Sequence, residues 1–340
     1  MACAAGDTTA SCPDPRSKDD TQTLWYLAYG SNMNPKVFTD WRKIQPLESK
    51  AVVVPDYWLS FDLCGVPFLE PCFASILKKD TSRLRDKSYA VFVHERCCYG
   101  RKFVWDEKNP EEHSYPPMLH GVAHKITQRD WDLVVQSEGG WGHDVPTGYD
   151  HILVNCKVVN SNEQITAHVL AARPKALTTR SQPSLRYKNV LTAGAAHHNL
   201  DPAYQDYLAT IIPYRCKGLR SRLASLLFMI FNVPQLIAFA FILRRNRGKP
   251  APECTQPPFW MAWYYDKASR FSNSAHDYIV APILGSGKSS SQPEEARKET
   301  NYVLEQVTTR EEYQATCEKE AEKEPSVMKA VEKMVETLAE

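Results

Sequence analysis

The chain has 340 residues, 43% of them hydrophobic, enough for one domain of about 190 residues with extensions at both ends. Its 41 basic and 40 acidic side chains leave a net charge of +1, so no basic field marks a nucleic-acid partner. Ten cysteines occur without a C-x-x-C pair, and the opening residues lack the apolar stretch of a signal peptide, so reduced thiols in a cytoplasmic compartment are expected. Residues 1–22 are polar and read as a disordered N-terminal segment.

The first element predicted is a strand over 24–29, Leu-Trp-Tyr-Leu-Ala-Tyr, which runs into Gly30-Ser31-Asn32-Met33. A strand ending in Gly-Ser can turn backbone N–H groups and the Ser31 hydroxyl toward one point, and such a nest holds an anionic or carbonyl group. Most strand–Gly–Ser junctions are simply turns, so this one gains weight only from a second segment, farther along the chain. Further strands are predicted over 51–63, 73–77, 120–126 and 151–159.

After the strand at 120–126, Thr127 is a helix N-cap with Asp130 at the third helical position, and Ile126 and Trp131 stand where a hydrophobic staple places them. Trp131, Val134, Val135 and Glu138 fall at i, i+3, i+4 and i+7 and share one face. Gly139-Gly140 ends the helix. Glu138 therefore takes a position where the pattern calls for a hydrophobe. A carboxylate buried there is costly unless it is paired or neutral, and desolvation favours its protonated form, as general acid/base work requires. The alternative is that Glu138 lies just past the buried stripe and is solvated at the Gly-Gly turn.

Taken together, Tyr26-Leu27-Ala28-Tyr29-Gly30-Ser31-Asn32-Met33 and the segment from Val134 to Gly139 resemble the substrate loop and the glutamate-bearing helix of the γ-glutamylcyclotransferases. Tyr57–Asp62 and Phe73–Ile76 are similar to that family's second and third strands. Pro183–Val190, Gly194-Ala195 and Asp201–Gln205 are similar to its C-terminal helices. The resemblance implies an α+β fold, a small mixed β-barrel with surrounding helices. It also implies a cofactor-free reaction: the α-amine of a γ-glutamyl group attacks its own γ-carbonyl and releases 5-oxoproline. Glu138 is then the catalytic acid/base. Tyr29, Gly30, Ser31, Asn32, Met33 and Tyr149 are the substrate-binding residues, and the partner is a small γ-glutamyl molecule: a γ-glutamyl amide, glutathione or a glutathione adduct. The chain departs from a minimal member by roughly thirty inserted residues, including Cys97–Lys102 and Pro116-Pro117, and inserted loops over a scaffold often set specificity. Two other readings stay open: a repurposed ring-closing tailoring enzyme acting on a non-peptide substrate, and a non-catalytic binding protein.

On this reading the catalytic domain covers 23–215. A hydrophobic and aromatic segment comes next, over 216–285, then a charged, partly helical tail over 286–340. Within the former, Leu223–Leu243 is long enough to cross a bilayer and is flanked by basic residues on both sides. It fits a segment that dips in at Asn232-Val233-Pro234 and returns, a helix lying on a membrane surface, or a buried helix pair or homodimer interface. His120 and His124 share a strand face, yet no acidic partner accompanies them and no metal is expected. Cys97-Cys98 reads as structural, and Lys78, Lys79, Arg83, Arg85 and Lys87 as a solvated turn.

Overall fold

The computed structural model describes residues 22–98, 102–138, 149–178 and 181–215, together with 222–227, 274–289 and a few single positions. Five strands close a barrel in the order β1-β5-β2-β6-β7: β1 (Thr23–Ala28), β2 (Glu48–Val54), β5 (Leu119–Thr127), β6 (Tyr149–Val158) and β7 (Gln164–Ala172). All neighbours are antiparallel except β1 and β7, which run parallel through Tyr26 and His168, so the barrel is mixed. A second sheet is the hairpin of β3 (Tyr57–Val66) and β4 (Glu70–Lys78). Closure leaves the barrel no unpaired edge.

Strand alternation separates two environments. Leu27, Ala123, Val52, Val54 and Leu119 fall on one face of the β1–β5–β2 ribbon and are fully buried. Tyr26, His124 and Ser49 are register partners on the other face. Phe38 stacks on His124 there at 4.6 Å, and Trp131 leans on Tyr26 at 5.6 Å.

The predicted strand over 51–63 is two strands. Pro55 and Asp56 make the turn between them, since proline cannot donate to a central ladder. The seventh strand, Gln164–Ala172, lies outside all the predicted segments, although Ile165, Ala167 and Val169 alternate with more exposed residues. Among the described residues, four helices of nine or more residues surround the strands: α1 (Lys87–Cys97), α2 (Gln128–Ser137), α3 (Leu185–His197) and α4 (Pro202–Thr210). The caps agree with the sequence. Thr127 Oγ1 accepts from the Asp130 N–H at 3.1 Å, Ser184 caps α3, and Asp201 caps α4 with Pro202 at its first position. The inserted residues hold α1 and a single turn at Pro110–His113, docked through the Tyr207 hydroxyl on Cys97 O at 3.1 Å and the Tyr115 ring on Trp58 at 5.2 Å.

Beyond the predicted end of the catalytic region, residues 274–289 pack back onto the β3–β4 turn. The Phe68 N–H donates to Gly287 O at 2.8 Å and the Gln182 N–H to Lys288 O at 2.9 Å. Most of Leu223–Leu243 lies outside the described residues. Among those described, no helix is long and apolar enough to cross a membrane.

Helix α3 passes so close to the turn at Ser31–Met33 that a Cβ on Gly194 would meet Met33 C, Met33 Cβ and Asn34 N, each at 2.8 Å. Backbone at that distance cannot step aside cheaply. The variant Gly194→Ala should therefore lose about 1–3 kcal/mol of stability, and an unchanged urea midpoint would show that the contact is soft. His124, 2% exposed, makes a second prediction, because burial and the neighbouring His198 push its pKa down to about 3. Below the unfolded value of 6.5 the unfolded chain binds a proton that the folded chain refuses. Stability is thus complete above that pH and falls as pH drops toward about 3. Between pH 6 and 4, His124→Gln should lose stability less steeply than the parent, by up to about tenfold in the folding constant per pH unit. Parallel slopes in chemical denaturation would refute it.

Candidate active site

Strand β1 carries the chain directly to the loop. Tyr29 comes after its last residue, and the turn at Ser31–Met33 closes with the Met33 N–H on Gly30 O at 3.1 Å and the Asn34 N–H on Ser31 O at 3.0 Å. Asn34 fixes the exit: its side chain accepts from the Lys36 N–H at 2.9 Å and donates to Val190 O of α3 at 3.3 Å. Met33 turns inward to 1% exposure in the core. Its side chain packs beneath the loop.

Asn32 joins the loop to the glutamate. Its Nδ2 donates to the Tyr26 hydroxyl at 2.8 Å and to Glu138 Oε1 at 3.4 Å. Glu138 lies just past α2 and still donates its N–H to Val134 O at 3.1 Å, which sets it at the end of the face carrying Trp131 and Val134, both buried. The sequence left open a costly buried carboxylate or a solvated one, and the geometry lies between. The side chain is 22% exposed and forms an ion pair with Arg42, itself 7% exposed. The Arg42 Nη1 donates to the Ser137 hydroxyl.

Aromatic hydroxyls line the surroundings. The Tyr29 hydroxyl donates to Leu170 O at 2.5 Å, and that of Tyr187 accepts the Ala74 N–H at 3.1 Å. Gly30 lies against Tyr187, whose oxygen would be 3.0 Å from any added Cβ. Tyr149 opens β6, opposite Ala172. Burial holds the phenol protons of Tyr26, Tyr29, Tyr149 and Tyr187 on well above the ordinary range, and the Glu138 charge adds to this in every case. All four therefore remain neutral hydroxyls at physiological pH, and all four lie within the field of one carboxylate.

The structure thus brings together Tyr29, Gly30, Asn32, Glu138 and Tyr149, residues far apart in sequence that come from the loop after β1, the end of α2 and the start of β6. Ser31 stands half-buried in the same turn, and its hydroxyl makes no hydrogen bond among the described residues. Gly139-Gly140 lie outside the described residues. Sequence reasoning missed Arg42, Tyr26 and Tyr187 as members of this cluster. Tyr26 and Tyr187 sit inside the quoted segments without a spacing signal of their own, and Arg42 lies in a polar stretch with no motif. The His120 ring lies tilted against Tyr204 at 4.5 Å, and Cys97 is buried, which pushes its thiol pKa up. No group of three His, Cys, Asp or Glu suited to a metal ion occurs among the described residues.

No family model matches the chain. Among curated relatives, it is similar to the gamma-glutamyl cyclotransferase gliK of Aspergillus fumigatus, 29% identical over 276 residues, which cover 78% of this chain and 89% of the relative. The gamma-glutamyl cyclotransferase gliK of Claviceps purpurea is 27% identical over 257 residues, covering 75% of this chain and 99% of the relative. A solved structure named gamma-glutamyl cyclotransferase superposes with a TM-score of 0.40 at 18% identity, over 58% of this chain and 92% of its own. With relatives matched over nearly their whole length, and a barrel whose first strand leads into the Tyr-Gly-Ser-Asn turn beside a helix-borne glutamate, the chain is similar in sequence and in site layout to the γ-glutamylcyclotransferases.

Proposed function

We propose that the protein is a γ-glutamylcyclotransferase that releases 5-oxoproline from a γ-glutamyl donor, with Glu138 as acid/base. One observation carries this reading: Glu138, from the end of α2, is held against Asn32 of the Gly30–Asn32 turn at 3.4 Å. The curated relatives, named gamma-glutamyl cyclotransferases, support it.

The chemistry needs little more than aim. The donor's α-amine and γ-carbonyl are already joined by its own carbon chain, so binding the extended molecule in a bent form brings nucleophile and electrophile together. Glu138 accepts a proton from the α-ammonium, and the freed amine adds to the γ-carbonyl carbon. Glu138 gives that proton to the departing nitrogen as its C–N bond breaks, then takes the second proton from the ring nitrogen and passes it to the released amine, which leaves as the ammonium beside a neutral lactam. The charge developing on the carbonyl oxygen meets the turn's backbone N–H groups and neutral phenols, which donate without giving up their protons. Tyr29, Gly30, Ser31, Asn32 and Tyr149 bind the donor, while Met33 secures the turn from beneath. No cofactor enters this balance.

Glutathione or a glutathione adduct is the finer reading of the donor. The inserted residues that suggest a bulky leaving group make no hydrogen bond or ion pair with Glu138, Asn32 or Arg42 among the described residues. The donor comparison therefore decides this point. Purified protein is given γ-glutamyl-alanine, glutathione and a bulky glutathione S-conjugate, and 5-oxoproline is measured by mass spectrometry. Release is expected, and Glu138→Gln should lower kcat roughly 10²–10⁴-fold. No release from any donor by folded protein, or release undiminished in the variant, overturns the reading.

A further inference from the structure

We infer that Arg42 is a positioning residue for the acid/base: it locks one oxygen of the Glu138 carboxylate and leaves the other as the proton carrier. The inference rests on the cyclotransferase reading.

Among the described residues, two hydrogen bonds reach Glu138 from other side chains, from Arg42 Nη2 and from Asn32 Nδ2, and both go to Oε1. Oε2 has no hydrogen-bond partner among the described residues, and the side chain keeps 22% of its surface open. One oxygen is thus held by two donors and the other is available to a ligand. A proton taken at Oε2 leaves the Oε1 contacts in place, so the carboxyl need not rotate between accepting a proton and returning it.

The clamp is built, not incidental. Arg42 caps a wide helical turn at Lys36–Trp41, with its N–H on Val37 O at 3.0 Å, and wide turns of this kind recur at functional sites. Lys43 then adopts a left-handed conformation, φ 59°, which turns the chain so that the Ile44 N–H reaches Phe38 O at 3.2 Å and Ile44 is fully buried. A non-glycine residue held there is strained unless its surroundings over-determine it. The Trp41 ring lies 5.2 Å from the guanidinium carbon. The guanidinium fork spans Ser137 and Glu138, two successive residues at the α2 C-terminus, where the helix dipole opposes a carboxylate and favours a cation. Lysine, a single point donor, cannot hold both residues in that geometry.

The test is kinetic. Arg42→Ala should lower kcat with the donor that the parent turns over by roughly 10–100-fold, with KM changed less than about threefold. Guanidinium added at tens of millimolar should restore part of the lost kcat, whereas sodium chloride at equal ionic strength should not. A purely structural arginine would show a lowered melting temperature and no rescue. Parental kcat in the variant, a loss confined to KM, or no rescue in a variant that melts as the parent does would each overturn the inference. If Arg42→Ala does not fold, Arg42→Lys serves: lowered kcat at parental melting temperature supports the clamp, and parental kcat refutes it. A parent that releases no 5-oxoproline overturns the cyclotransferase reading and this inference with it. A parent that does, beside a fully active Arg42 variant, overturns this inference alone.

Discussion

A carboxylate at the end of an apolar helix face, beside the negative pole of that helix, is the arrangement on which the rest of the site depends. Left alone, Glu138 would face both a desolvation cost and an unfavourable dipole. Arg42 answers both at once, because its guanidinium meets the carboxylate and the adjoining Ser137 hydroxyl at the same helix end. Such a compensation is useful only if the arginine cannot drift. The turn before it, the left-handed Lys43 after it and the Trp41 ring over it restrict that drift.

The barrel provides the matching rigidity on the other side. Tyr26 from β1 holds Asn32, and Tyr29 is tied to Leu170 of β7, so the turn between Gly30 and Asn34 is fastened to the two strands whose parallel pairing closes the barrel. On its outer side, α3 presses Gly194 against Met33 and Asn34. The loop is thereby a fixed edge in spite of its glycine. Buried phenols around it are neutral because water is excluded and a negative charge stands nearby.

Much of this was legible in the chain, and unevenly so. The helix over Gln128–Ser137 could be read because Thr127, Asp130, Trp131 and Val134 each state the same thing at a different level: cap, staple and apolar stripe. That agreement also exposed Glu138 as the residue out of pattern. The hairpin strands were harder. A continuous run of β-formers from Ala51 to Leu63 reads as one strand unless Pro55 is given its full weight as a residue that donates nothing to a ladder. Strand β7 alternates Ile165, Ala167 and Val169 with Thr166, His168 and Leu170, a weak contrast because Leu170 is buried as well. Arg42 was beyond sequence reading altogether. Its partner is 96 residues away, and only the closure of β1 on β5, which seats α2 beside the loop, brings the two together.

The same kind of long-range closure bears on the hydrophobic segment. The chain leaves the barrel domain at Tyr214, whose N–H donates to Pro183 O at 2.8 Å, and rejoins it at Lys288, whose carbonyl accepts from the N–H of the adjoining Gln182 at 2.9 Å. Departure and return are therefore fastened to neighbouring residues of one strap. The residues between the two attachments include Leu223–Leu243, most of which lies outside the described residues. The return is made specific by Gly287, φ 60°, where a Cβ would lie 2.4 Å from the Phe68 ring.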